Sequence, residues 1–115
     1  MLILRDKQGR VLLERRPPTG IWGGLWSFPE IDVDNDVESW CRAVGLDRIG
    51  EVTEQPILTH TFTHFRLAIT PLEFTVDDKG HSIMDSNRWL WYNVSDPARI
   101  GLAKPVERLL HVDRI

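Results

Sequence analysis

Cysteine is almost missing from this chain: Cys41 stands alone among 115 residues. An internal disulfide, a multi-cysteine zinc site and an iron–sulfur cluster are therefore excluded within the chain itself. Long apolar runs are missing as well. None approaches the roughly 18 to 20 residues needed to cross a bilayer, which predicts a soluble protein with no membrane role. The opening MLIL enters a strand-like stretch with neither the charged n-region nor the cleavage site of a signal peptide. That abrupt start predicts a piece of a longer protein, with Met1 supplied as its beginning. Positive charge is scarce: 14 Lys and Arg face 17 Asp and Glu, a formal net charge of −3. Such a balance argues against broad attraction to nucleic acid or anionic membrane. Any contact with DNA would rest on a few placed groups, with another domain supplying most of the affinity. Repeats, linkers and low-complexity segments are also absent.

What remains is 42% hydrophobic and 27% charged, enough for one domain that buries its own core. LILRDKQGRVLLERR predicts a hairpin, with strands over about 1–5 and 10–16 and a polar turn from Asp6 to Gly9. PPTGIWGGLWSFPE crowds prolines and glycines around two tryptophans. A helix cannot form there, so the segment predicts a fixed loop leading to a short strand, Leu25 to Phe28. DNDVESWCRAVG offers an N-cap at Asn35 or Asp36. Val37, Trp40, Cys41 and Val44 follow at helical spacing, and Gly45 is the stop.

From Glu51 to Val76 the pattern predicts one long antiparallel pair. Phe65, Leu67 and Ile69 are odd-numbered whereas Leu72, Phe74 and Val76 are even, so a bulge or bend is expected near Pro71. DDKGH reads as a further turn, RWLWYNV as a strand, and KPVERLL as a final helix with proline in its first turn. The order predicts an α+β fold with a mixed, mainly antiparallel sheet flanked by two helices. The five tryptophans, Trp22, Trp26, Trp40, Trp89 and Trp91, read as packing groups and not base-stacking platforms, because they lie in apolar patterns.

HTFTHF interrupts the long pair at what looks like a hairpin tip, with Thr63 between Phe62 and His64 and a second histidine at His60. From the residues alone, Thr63 reads as a hydroxyl that bonds within its own turn. His60 and His64 read as half-buried strand histidines, and Phe62 as core. A tip that recognises a ligand is the alternative.

A hairpin, then GIWGGLWSFP, then a helix resembles the opening of the Nudix family of pyrophosphohydrolases. Those enzymes set glutamates on that helix to hold divalent metal against a pyrophosphate, which needs several carboxylates converging on hard cations. Here Glu38 is followed three and four positions later by Cys41 and Arg42. Glu30, Asp32, Asp34 and Asp36 precede the helix with no helical frame to aim them together, and read as a solvated acidic loop that favours the helix N-terminus. The expectation is a Nudix-like fold without the catalytic motif and without a metal.

One family keeps that fold without the motif: the C-terminal domain of adenine DNA glycosylase, MutY. ERRPPTGIWGGLWSFPE, HTFTHFRL, LWYN and GLAKPVERLL are similar to that family's segments and run in its order over nearly the whole chain. The resemblance implies a single domain, 1–115, from the recognition half of a bacterial, cytoplasmic, monomeric enzyme of base excision repair. It implies a helix-hairpin-helix catalytic domain with a 4Fe-4S cluster in the missing N-terminal part, and no cofactor here. The implied partners are that domain in cis and double-stranded DNA carrying an 8-oxoguanine:adenine mispair. Thr63 would accept from the lesion's N7–H, Phe62 would set the tip against DNA, and His64 would reach the backbone or support the turn. His60 belongs to the same set by position. The family's usual residue between Phe and His is serine; Thr63 keeps the hydroxyl but adds a methyl and stiffens χ1. Two rival functions stand beside this one: an active Nudix hydrolase of nucleoside triphosphates such as oxidised dGTP, and a protein-interaction domain that uses the Pro/Trp loop.

Overall fold

In the computed structural model, residues 1–32, 34–77, 88–95 and 100–113 are described. The expected turn at DDKGH lies outside them beyond Asp77. The first hairpin forms as the alternation predicts, β1 over Leu2–Arg5 and β2 over Val11–Arg15. Its turn is held by Asp6, whose carboxylate accepts the N–H of Gln8 at 2.9 Å, the N–H of Arg10 at 2.8 Å and the Arg10 guanidinium at 2.6 Å. Short strand β3, Trp26–Ser27, pairs with Glu14 and Arg15 at the far end of β2.

Helix α1, Val37–Val44, starts at Asp36, whose side chain accepts the Ser39 N–H. It ends at Gly45, which takes the left-handed conformation (φ 80°) that glycine adopts without a Cβ penalty. Strand β4, Asp47–Glu54, then runs antiparallel to β7, Leu72–Asp77. Between them the chain makes a separate two-stranded sheet from β5, Leu58–Thr61, and β6, Arg66–Ile69. The expected single long pair is thus two pairs. Two prolines explain the division: Pro56 stands between β4 and β5, and Pro71 between β6 and β7, and neither can donate to a ladder. The change of parity at Pro71 is real, since Leu67 and Ile69 pack on one face of the main sheet and Phe74 and Val76 on the other.

Strand β8, Trp89–Tyr92, pairs antiparallel with β2 from Val11 to Glu14. The feature that local patterning misses is β1 against β7: they run parallel, Leu2 facing Leu72 through Arg5 facing Thr75, so the central path is β3-β2-β1-β7-β4. In β4, Gly50, Glu51 and Val52 stand against Phe74 alone, and this irregularity contains Gly50 at φ 74°. Helix α2 spans Lys104–Asp113, with Pro105 in its first turn. Its start is fixed to β3, because Trp26 donates to Gly101 O at 2.9 Å and Ala103 donates to Trp26 O at 2.8 Å.

Two cores lie on opposite faces of the main sheet. Ile3, Val11, Leu13 and Phe28 meet Val106 and Leu110 of α2 and Ile69 of β6 on one face. Leu2, Leu4, Leu12, Phe74 and Val76 meet Cys41, Trp40 and Val37 of α1 on the other. At the second core, burial pushes the Cys41 thiol up to about 11, with the negative field of Glu38 adding to the effect. The thiolate is the reactive form, so at pH 8 native Cys41 holds roughly one-hundredth of the thiolate of an ordinary cysteine. Alkylation by iodoacetamide, followed by mass spectrometry, is expected to run at least about tenfold slower in the folded chain than in denaturant, because the higher nucleophilicity of a more basic thiolate offsets part of its scarcity. Equal rates in the two states would contradict this packing.

Candidate functional site

The tip of the β5–β6 hairpin gathers all four residues marked by the sequence. Leu58 pairs with Ile69 and Thr61 with Arg66, leaving Phe62 to Phe65 as the turn. The turn is closed by the Phe62 N–H donating to Phe65 O at 2.7 Å. The Phe62 and Phe65 rings stack with centroids 4.5 Å apart and planes 24° from parallel. His60 meets Phe62 edge-on at 4.5 Å. Phe62 and His60 are half-buried, while Thr63 and His64 are exposed above them. Among the described residues the Thr63 hydroxyl makes no hydrogen bond, so the reading of a hydroxyl bonded within its own turn finds no bond here. Chemically, the tip offers solvent a hydroxyl that can accept or donate, an adjacent backbone amide and an imidazole, on an aromatic footing.

Beneath the hairpin lies the loop between β2 and β3. Gly24 donates to Pro17 O at 2.9 Å, Arg16 donates to Leu25 O at 2.8 Å, and Leu25 donates to Trp22 O at 3.0 Å. Gly20 and Gly24 have positive φ, and so does Trp22, at 53°, the one non-glycine residue to do so among those described. A non-glycine in that region costs about 1–2 kcal/mol. The indole lies 5.5 Å, centroid to centroid, from both His60 and Phe62. From the other side Arg108 of α2 donates to Thr59 O of β5 at 3.3 Å.

Two members of this cluster escape the sequence reading. Trp22 is a packing group as expected, but what it packs on is the tip. Phe65, expected to alternate inward with Leu67 and Ile69, is 46% exposed and stacks on Phe62 instead. GIWGG was the available clue: glycines crowding a tryptophan mark a backbone bent around a large ring.

Three of the carboxylates ahead of and on α1 are engaged elsewhere. Glu30 pairs with Arg16 at 3.1 Å, Glu38 pairs with Arg48, and Asp36 accepts the Ser39 N–H at 2.6 Å. Backbone and side-chain hydrogen bonds from Ser39 hold the Asp36 carboxyl below its ordinary range. Among the described residues, no group of three or more His, Cys, Asp or Glu is placed to hold a metal ion. Arg15, Arg16, Pro18, Gly24 and Arg88 line an open cleft of about 420 Å³ beside the β2–β3 loop. Its charge is partly offset, since Arg16 is paired with Glu30 and Arg88 with Glu14.

The family profile of the NUDIX domain matches residues 1–112. The chain is 31% identical over 109 residues to adenine DNA glycosylase of Buchnera aphidicola subsp. Baizongia pistaciae, covering 95% of this chain and 30% of the relative. It is 28% identical over 115 residues to adenine DNA glycosylase of Mus musculus, covering 86% of this chain and 21% of that protein. The chain therefore spans less than a third of the length of these curated relatives. Among solved structures, a Nudix hydrolase from M. Smegmatis superposes with a TM-score of 0.53 at 21% identity, over 98% of this chain and 83% of the other, a likeness of fold.

The tightness of the β2–β3 loop is open to a direct test. A Cβ placed on Gly23 would lie 2.6 Å from Pro18 O and 3.2 Å from Pro17 O, and these are backbone atoms that cannot swing aside. Gly23→Ala should therefore lower stability by about 1–3 kcal/mol in urea titrations. An unchanged midpoint would mean that the loop has slack.

Proposed function

The chain belongs to the NUDIX domain family, and we propose that it works as the lesion-reading module of a longer adenine DNA glycosylase. In this reading the β5–β6 tip meets 8-oxoguanine in duplex DNA, while a catalytic domain in cis excises the adenine opposite. The observation that carries it is the exposed Thr63 on an aromatic-backed tip, in a chain whose relatives are adenine DNA glycosylases.

The lesion differs from guanine at two adjacent points: N7 gains a hydrogen and becomes a donor, and C8 carries a carbonyl oxygen, an acceptor. The Thr63 hydroxyl supplies an acceptor for N7–H, and a backbone amide of the same turn supplies a donor for the oxygen. Phe62, half-buried, fixes the height of the turn, and exposed His64 is available to the sugar-phosphate backbone. His60 supports Phe62 from below. The cluster of the parent enzyme has no footing in this chain, whose single cysteine is buried in the second core. The acidic surface fits a division of labour in which the missing domain supplies most phosphate contacts.

The Thr63 hydroxyl separates this reading from a merely structural turn. In the full-length glycosylase, Thr63→Val and Thr63→Ala should reduce the preference for 8-oxoguanine over guanine opposite adenine. One base contact of this kind is worth roughly five- to 150-fold at most. Thr63→Ser keeps the hydroxyl and should keep most of the preference. Adenine excision from the two duplexes, with melting curves alongside, decides it. Full preference in a folded valine variant would sink the reading.

A second reading, nucleotide hydrolysis, draws on the NUDIX family itself. Glu30 and Glu38, each held by an arginine, and the capping Asp36 oppose it, because Mg²⁺ needs oxygen ligands that converge. Incubation of the chain with 8-oxo-dGTP and magnesium or manganese should release no pyrophosphate above a protein-free blank. Metal-dependent turnover would put hydrolysis first.

A further inference from the structure

We infer that Trp22 is a positioning residue for the reading tip, setting its height and orientation through the His60 and Phe62 rings. The inference rests on the function proposed above and adds a specificity determinant forty residues away in sequence. Its starting point is an oddity of the backbone. Residue 22 adopts φ 53°, which glycine would take without strain, and the loop already has glycine at 20, 23 and 24. The chain nevertheless carries its largest side chain there. A strained conformation persists only where the surroundings over-determine it, and such positions cluster at ligand clamps.

The surroundings of Trp22 show what the ring does. A two-stranded hairpin is marginal by itself, and the tip lies beyond its last pair, Thr61 with Arg66. The indole supports it there. It lies 5.5 Å from His60, edge-on at 72°, and 5.5 Å from Phe62 at 47°. Phe62 in turn stacks on Phe65 and bonds to it through the backbone across the turn. Thr63 is carried between those two phenylalanines. The contact order is thus Trp22, then His60 and Phe62, then the turn that holds the hydroxyl. The ring's own backbone cannot yield easily, since Leu25 donates to Trp22 O and Gly23 is wedged against Pro18. A reader of one added hydrogen and one added oxygen needs such support, because hydrogen bonds weaken steeply when donor and acceptor are misaligned.

Two variants test this. Trp22→Gly relaxes the backbone and removes the ring, whereas Trp22→Phe keeps an aromatic face on the same loop. Hydrogen exchange on this chain, without DNA, is the first measurement. With Trp22→Gly the Phe62 amide should exchange at least about fivefold faster, two ring contacts being worth about two- to 13-fold each. Amides of β1 and β7 should keep wild-type protection, and Trp22→Phe should restore most of the loss at Phe62. In the full-length glycosylase, Trp22→Gly should then lower the preference for 8-oxoguanine over guanine at least about fivefold while excision opposite guanine stays unchanged. The inference fails if Phe62 exchange stays at the wild-type rate, if β1 and β7 accelerate by the same factor, or if the lesion preference is untouched. Should Trp22→Gly not fold, Trp22→Leu carries the same measurements under the same criteria. Failure of the reading function alone has a different signature: Thr63→Val keeps the lesion preference while Trp22→Gly still loosens Phe62.

Discussion

Strand β1 is buried on both faces, and the rest of the molecule follows from that. Its four residues lie mid-sheet between β2 and β7, with Leu2 and Leu4 turned to one side and Ile3 to the other, each at most 2% exposed. A strand with no exposed face requires a layer above it and a layer below. Helix α1 is one layer. The other is shared between α2 and the β5–β6 hairpin, whose Ile69, Leu58 and Leu67 pack on the same core as Ile3. The hairpin therefore has two ends with different duties. Its base is part of the hydrophobic core and cannot drift, and its tip rests on Trp22 of a loop that is itself pinned to β2.

The elements around α1 are bound into the fold itself. Helix α1 presents Cys41, Trp40 and Val37 to the sheet, and its Glu38 holds Arg48 on the next strand. The loop ahead of it ends in a capping aspartate. The proposed site lies in a different place, on the insertion between β4 and β7, where exposed polar groups do not disturb either core.

The sequence displayed what is local. The Asp6 turn, the cap and stop of α1, the reversal of parity at Pro71, the aromatic strand β8 and the start of α2 each arise from neighbours a few residues apart, and periodicity or cap chemistry exposes them. It concealed what is distant. The parallel alignment of β1 with β7 joins residues about seventy positions apart, and no alternation pattern names its partner. The same limit applied at the site. Phe62, Thr63, His64 and His60 stood in one visible string, whereas Trp22 reaches them only through the fold. Its left-handed backbone was invisible in a segment where glycine was the natural carrier of that conformation.

One further consequence belongs to β4, the outermost strand of the path through β1. An open sheet edge offers evenly spaced N–H and C=O groups to any passing strand, which is how β proteins polymerise. This edge offers no such row. Gly50, Glu51 and Val52 crowd opposite a single residue and break its spacing, and exposed Asp47, Glu51 and Glu54 place carboxylates along it. A second copy approaching edge to edge would meet both a broken ladder and like charge. The net negative charge of the chain thus also opposes self-templated growth of the sheet.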